Sequence, residues 1–213
     1  MLLEPPILCL VTNRHRCLGR PVEEVVARAL DGGVTMVQLR EKDMSFKELL
    51  PLATKIRKIT TGRALFFVNQ DLEVALESEA DGVQLGEDAG PVKLARNMGG
   101  DSLLIGRSVH DLEGGKLAEN EGCDLLVAGT VFPTISHPDQ RPNGLEFIAK
   151  LSSEITIPFI GIGGVKPHNA RSLVNCGATG VAVMTAITEA QDPELEATKL
   201  RKVMGKRIEW LKF

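Results

Sequence analysis

Gln38, Arg40 and Lys42 alternate along the run Val37-Gln38-Leu39-Arg40-Glu41-Lys42. Side chains of an extended strand change face at every residue, so these three point the same way. The apolar residues 34–39 read as that strand, and the two cations fall at its carboxyl end. Arginine supplies a planar bidentate fork and lysine a mobile point charge, a pairing suited to a phosphorylated or pyrophosphorylated ligand. The same residues would serve equally as a solvated strand end. Their meaning depends on what surrounds them.

Other groups in the chain carry compatible chemistry. In Ile160-Gly161-Ile162-Gly163-Gly164, the glycines let backbone amides approach an anion closely, although a plain tight turn uses the same residues. Ser108 and His110 lie in Arg107-Ser108-Val109-His110, the serine as a donor to phosphate. His110 is read first as starting a helix together with Asp111, and second as a site residue. Asp71 and Asp88, with Asn69, Gln70 and Glu87 beside them, are candidate Mg²⁺ ligands, because that ion takes few carboxylates and completes its shell with phosphate and water. The preferred reading of Asp71 is a helix cap, and of Glu87 and Asp88 solvated side chains. Thr134, Ser136 and His137 lie in a long connection that runs on to Gly144, either a binding segment or a variable surface loop. His15 and His168 read as surface residues. With no Ser-His-Asp arrangement and no close carboxylate pair, nucleophilic and two-carboxylate hydrolysis are not indicated.

The elements that must position these groups repeat regularly. Short apolar runs at residues 7–12, 34–39, 64–69, 82–85, 103–106, 124–128, 158–162 and 180–184 read as strands. Helix-like segments at 22–30, 45–60, 72–79, 92–98, 111–120, 145–153, 167–175 and 193–204 separate them. Ser45 and Glu48 form a capping-box pattern, and Pro21, Pro91, Pro167 and Pro193 stand near helix starts. The helix-to-strand joints beginning at Asp31, Glu79, Glu121 and Cys176 resemble one another, and three of them carry a glycine suited to positive φ. Such alternation implies parallel βαβ units. An open doubly wound sheet is the second choice, since the loop after the first strand, Asn13-Arg14-His15-Arg16, lacks that fold's glycine pattern. The expectation is α/β class, with residues 1–213 forming a single eight-stranded (β/α)8 TIM-barrel domain. In such a barrel the strand carboxyl ends form the active face, and the loops after strands 7 and 8 commonly bind phosphate.

Composition narrows the classes. Of 213 residues, 43% are hydrophobic and 25% charged, as in ordinary globular proteins. A formal charge of −3 provides no electrostatic footprint for nucleic acid. No apolar run reaches the roughly 20 residues that span a bilayer, and the N-terminus lacks a signal-peptide pattern. Cys9, Cys17, Cys123 and Cys176 are scattered and read as reduced thiols, which with the rest suggests a cytoplasmic protein.

Taken in order, these segments resemble the thiamine phosphate synthase/TenI family. The likeness runs from Val11-Thr12 through Gln38-x-Arg40-x-Lys42, Val68-Asn69, residues 80–86, Gly106-Arg107-Ser108-Val109-His110 and residues 129–134, to Ile160–Gly164 and Gly180–Met184. It covers nearly the whole chain. The resemblance implies coupling of hydroxymethylpyrimidine pyrophosphate to thiazole phosphate, giving thiamine phosphate and pyrophosphate, with Mg²⁺ as cofactor. Arg40, Lys42 and Ser108 would be its catalytic group, with Arg40 and Lys42 on the pyrophosphate. Gln38 would face the pyrimidine, and Asn69 would also bind substrate. Thr134 and Ser136 would lie near the thiazole phosphate, whose phosphate would rest on Gly163, Gly164 and the strand end Val183-Met184. A homodimer is a family-level expectation.

The chain departs from the family pattern where the metal and leaving group would sit. The Asp of the family's Asn-Asp pair is Gln70, a second metal Asp falls at Ala89 with Asp88 one place early, and a pyrophosphate Lys is His137. The family's H-L-G-Q reads Gln84-Leu85-Gly86-Glu87. The proton-transfer His of TenI-type tautomerases falls at Thr130. Two alternatives follow: a TenI-like thiazole tautomerase, or a non-catalytic paralogue that binds thiazole or thiamine phosphate. An aldolase- or isomerase-like barrel is disfavoured, because no lysine stands in a strand interior where Schiff-base chemistry would want it.

Overall fold

A computed structural model describes residues 5–135 and 141–205. The strands β1 (Ile7–Val11), β2 (Met36–Leu39), β3 (Leu65–Asn69), β4 (Gly82–Leu85), β5 (Leu104–Val109), β6 (Leu125–Ala128), β7 (Phe159–Ile162) and β8 (Gly180–Val183) form a closed parallel barrel in chain order. β8 closes on β1 through pairs such as Cys9↔Ala182. The crossovers carry α1 (Val22–Asp31), α2 (Phe46–Thr60), α3 (Leu72–Glu77), α4 (Val92–Gly99), α5 (Leu112–Asn120), α6 (Gly144–Glu154) and α7 (Pro167–Asn175). A short α8 (Thr185–Thr188) and the long α9 (Pro193–Met204) follow β8. The fold is a (β/α)8 TIM barrel, as the alternation implied.

Both faces of each strand are buried, which explains why the strands read as continuous apolar runs. Ile7, Cys9, Met36, Phe67, Leu125 and Ile160 belong to one cluster inside the barrel, while Leu8, Leu10, Val37 and Phe66 pack outward with the helices. Truncating a fully buried ring such as Phe67 to alanine would cost about 3–5 kcal/mol. The interior is shaped by close approach as much as by bulk: a β-carbon on Gly106 would collide with Oε1 of the neighbouring Gln84.

The local punctuation follows the sequence closely. Ser45 and Glu48 form the capping box, with Glu48 accepting from the Ser45 amide at 2.9 Å. Pro167 and Pro193 open their helices, and Pro21 and Pro91 occupy N-caps. Gly33, Gly122 and Gly177 adopt positive φ at three of the repeated joints, and at the fourth the same conformation falls on Glu79, with φ of 53°. Cys9, Cys17, Cys123 and Cys176 are free thiols. Burial inside the barrel pushes the Cys9 thiol up to about 12. No helix among the described residues is long and apolar enough to cross a membrane.

Element ends shift by a residue or two, as at β2 and α3, and the short α8 was not expected; the shift that matters for the site is at β5. β5 does not stop at Gly106 but continues to Val109, because Arg107, Ser108 and Val109 keep pairing with Leu126, Val127 and Ala128 of β6. Ser108 is therefore held by the sheet and not by a loop.

Candidate active site

A cavity of about 630 Å³ opens at the strand carboxyl ends. On its β2 side the alternation of Arg40-Glu41-Lys42-Asp43 separates charges by sign. Gln38, Arg40 and Lys42 line the cavity. Glu41 turns outward and is buried, its carboxylate accepting from the Thr12 hydroxyl at 2.7 Å and from the Arg14 amide at 2.9 Å. Among the described residues neither the Arg40 nor the Lys42 side chain has an ion-pair partner, so both remain available to an anion. Desolvation lowers the Arg40 pKa from its ordinary value, and the adjacent Glu41 charge opposes that shift.

Around β3, β4 and β5 the wall is made of amides and hydroxyls. Gln38 donates through Nε2 to Asn69 Oδ1 at 3.0 Å. Gln84, almost wholly buried, donates to Ser108 Oγ at 3.1 Å, which leaves the serine proton free to donate elsewhere. His110 lines the cavity while the next residue, Asp111, caps α5, so the two readings of this pair describe neighbouring residues. Since a carbonyl can only accept, His110 Nδ1 carries the proton it donates to Gly129 O at 2.8 Å. Its Nε2 lies 3.6 Å from Glu87.

The acidic candidates separate. Asp71 does not line the cavity: its carboxylate accepts from the Val74 amide at 2.9 Å and caps α3. Glu87 and Asp88 do line it, whereas Ala89 packs against the core. In a loop, moving a carboxylate by one residue does not reverse its direction as it would in a strand. Gln70, at φ of 62°, also lines the cavity. Among the described residues no group of three or more His, Cys, Asp or Glu side chains could hold a metal ion. A pair of cavity carboxylates beside two amide side chains therefore suits a Mg²⁺ that arrives with phosphate oxygens and water, not one caged by protein alone.

The β6–β8 side combines backbone and apolar groups with polar side chains. Gly163 and Gly164 line the cavity with φ of 101° and 63°. A β-carbon on Gly164 would collide with the Pro133 carbonyl, so the β6 loop packs where a side chain would stand. Thr130, Thr134, Val183, Met184 and Lys166 line the same part. Ser136 and His137 lie outside the described residues. Groups to which sequence reasoning gave no role are Thr12, Glu41 and Lys166, while Gln84 was placed on the active face without a partner. The only available signal was the acid set between two inward cations and, for Gln84, its strand phase.

A family model described as thiamine monophosphate synthase matches residues 8–187. A thiamine-phosphate synthase from Haloarcula marismortui is 40% identical over 200 residues, which span 92% of this chain and 95% of that protein. The structure of thiamine phosphate pyrophosphorylase from Pyrococcus furiosus superimposes with a TM-score of 0.86 at 38% identity, covering 92% of this chain and 94% of the other. A 3-hexulose-6-phosphate synthase from Salmonella typhimurium, at 16% identity and a TM-score of 0.69 over 93% and 98% of the two chains, shares the fold alone. With its match running from β1 into α8, this chain belongs to the thiamine monophosphate synthase/TenI family.

Proposed function

We propose that this protein is a transferase of thiamine biosynthesis that joins hydroxymethylpyrimidine pyrophosphate to thiazole phosphate. The observation that carries this reading is one cavity with two different walls, carrying Arg40 and Lys42, which have no ion-pair partner among the described residues, on one side and a glycine-rich backbone cup on the other. Arg40 and Lys42 hold the pyrophosphate, and Gln38 and Asn69 orient the pyrimidine. Ser108 donates its free hydroxyl proton towards the leaving group. Gly163, Gly164, Thr134 and the Val183-Met184 turn seat the thiazole phosphate, with Lys166 adding charge at the rim. Ser136 and His137 belong to the same expected substrate-binding set.

The chemistry needs no general base. The bond between the pyrimidine methylene carbon and the pyrophosphate oxygen breaks, and the oxygen keeps the electron pair. The thiazole nitrogen lone pair then forms the new carbon–nitrogen bond. Fixed cations stabilise the charge that develops on the departing oxygen, most strongly where water is excluded. Glu87 and Asp88 would hold Mg²⁺ together with the pyrophosphate, and the ion would neutralise the leaving group. The tautomerase reading is less well supported, because Thr130, where its acid–base group would stand, has no proton that titrates near neutrality.

Purified protein incubated with both substrates and Mg²⁺ should form thiamine phosphate and pyrophosphate, and EDTA should stop the reaction. Absence of product in every metal condition would refute the synthase assignment. Isotope exchange into a thiazole phosphate carboxylate without coupling would assign the protein as a tautomerase.

A further inference from the structure

Behind the cationic fork lies a second charged layer that does not reach the cavity. The Glu41 side chain is 1% exposed, and its carboxylate is held by donors. It accepts from the Thr12 hydroxyl at 2.7 Å, from the Arg14 amide at 3.1 and 2.9 Å, and from Arg14 Nη1 at 3.4 Å. Thr12 in turn accepts from the Arg40 amide at 2.9 Å, so the backbone of the cavity arginine hangs on the same network. The Arg14 guanidinium reaches past Lys42 to Asp43, with contacts of 2.6 and 2.7 Å to its two carboxylate oxygens. His15 Nε2 adds a contact to Asp43 at 2.9 Å. The residues on both sides of Lys42 are thus held by one arginine from the β1–α1 segment.

We infer that Glu41, acting with Thr12 and Arg14, is a positioning residue that sets the Arg40–Lys42 fork for pyrophosphate. Three features support this. Past the end of β2 at Leu39, the two cations line the cavity while the two anions turn away from it to Arg14. The buried carboxylate ties β2 to the β1 loop through donors that no neutral side chain of the same size could all satisfy. Finally, the Glu41 charge lies beside Arg40, where it favours the cationic form against desolvation. Lys42, an exposed residue, is flanked on either side by the residues of the brace.

The inference rests on the pyrophosphate-site reading, and binding measurements separate the two because they need no turnover. Inorganic pyrophosphate and thiazole phosphate would be titrated calorimetrically into wild-type protein and into Arg40→Ala, Glu41→Gln, and the double variant. A glutamine offers one acceptor oxygen where Thr12 and Arg14 need two, so Glu41→Gln should weaken pyrophosphate binding about tenfold and leave thiazole phosphate affinity unchanged. In the Arg40→Ala background the same substitution should add clearly less than in wild type, since only Lys42 is left to position. Full additivity, equal weakening of both ligands, or wild-type protein that does not bind pyrophosphate would each overturn the inference. Wild-type protein that binds pyrophosphate but makes no thiamine phosphate would overturn only the synthase assignment. Should Glu41→Gln fail to fold, the exposed Asp43→Asn decides: it should weaken pyrophosphate about threefold, as a surface ion pair allows, and no change would overturn the brace.

Discussion

The two walls of the cavity, as proposed anion sites, would work by opposite means. From β2 to β5 the wall is made of side chains, Gln38, Arg40, Lys42, Asn69 and Ser108, cross-linked by amide hydrogen bonds. From β6 to β8 it turns backbone to the cavity at Gly163 and Gly164, which hold positive φ against the Pro133 carbonyl, with the Thr134 and Lys166 side chains beside them. A site made of side chains is broken by removing atoms. The glycine cup of the other wall offers no side chain to remove and is broken by adding atoms. The two walls can therefore be disabled independently, by opposite kinds of substitution.

The largest effect is expected for Arg40→Ala. Losing a fixed donor to the developing charge should lower kcat/KM for the pyrimidine substrate by about 10²–10³-fold, measured by steady-state coupling kinetics with thiazole phosphate saturating. Gly164→Ala should come next. The added methyl meets the Pro133 carbonyl and the residue must hold positive φ, which together cost roughly 1–3 kcal/mol. Equilibrium denaturation should show that loss, and the KM for thiazole phosphate should rise while the KM for the pyrimidine substrate holds. Ser108→Ala should lower kcat about tenfold, which pre-steady-state kinetics can separate from product release, and should lower Tm somewhat because the buried Gln84 Nε2 loses its acceptor.

A smaller effect depends on pH. Hydrogen bonds from Arg14, and then from His15, hold the Asp43 carboxyl well below the usual carboxylate range. A depressed folded-state pKa contributes stability above the unfolded value of about 3.9 and loses it as pH falls further. Urea midpoints should therefore drop between pH 6 and pH 3 by less in Asp43→Asn than in wild-type protein. Equal drops would show that the outer part of the brace carries no stability.

How much of this was legible in the sequence follows from the same division. Barrel topology and nearly every element were readable, because buried strands and capped helices leave local signals such as Ser45 with Glu48 and the joints at Gly33, Gly122 and Gly177. The fork was readable from strand alternation. The length of β5 was not, since polar Arg107 and Ser108 give no apolar signal although their backbones pair with β6. Glu79 took a glycine's conformation without being glycine, which only the repeated joint could suggest. The carboxylates were ambiguous for a physical reason: a loop sets direction by its own path, so Asp88 lines the cavity and Asp71 caps a helix, and spacing alone does not distinguish them. Glu41 looked like a charge between two site residues. Its burial depends on Thr12 and Arg14, contacts that strand periodicity does not encode.

The most direct test of the divided cavity is a paired binding experiment on three proteins. Pyrophosphate and thiazole phosphate affinities would be measured calorimetrically for wild type, Arg40→Ala and Gly164→Ala. The account predicts a crossed result, in which Arg40→Ala loses pyrophosphate binding and keeps thiazole phosphate, and Gly164→Ala does the reverse. If either substitution weakens both ligands to the same degree, the two walls are not separate sites and the account is wrong.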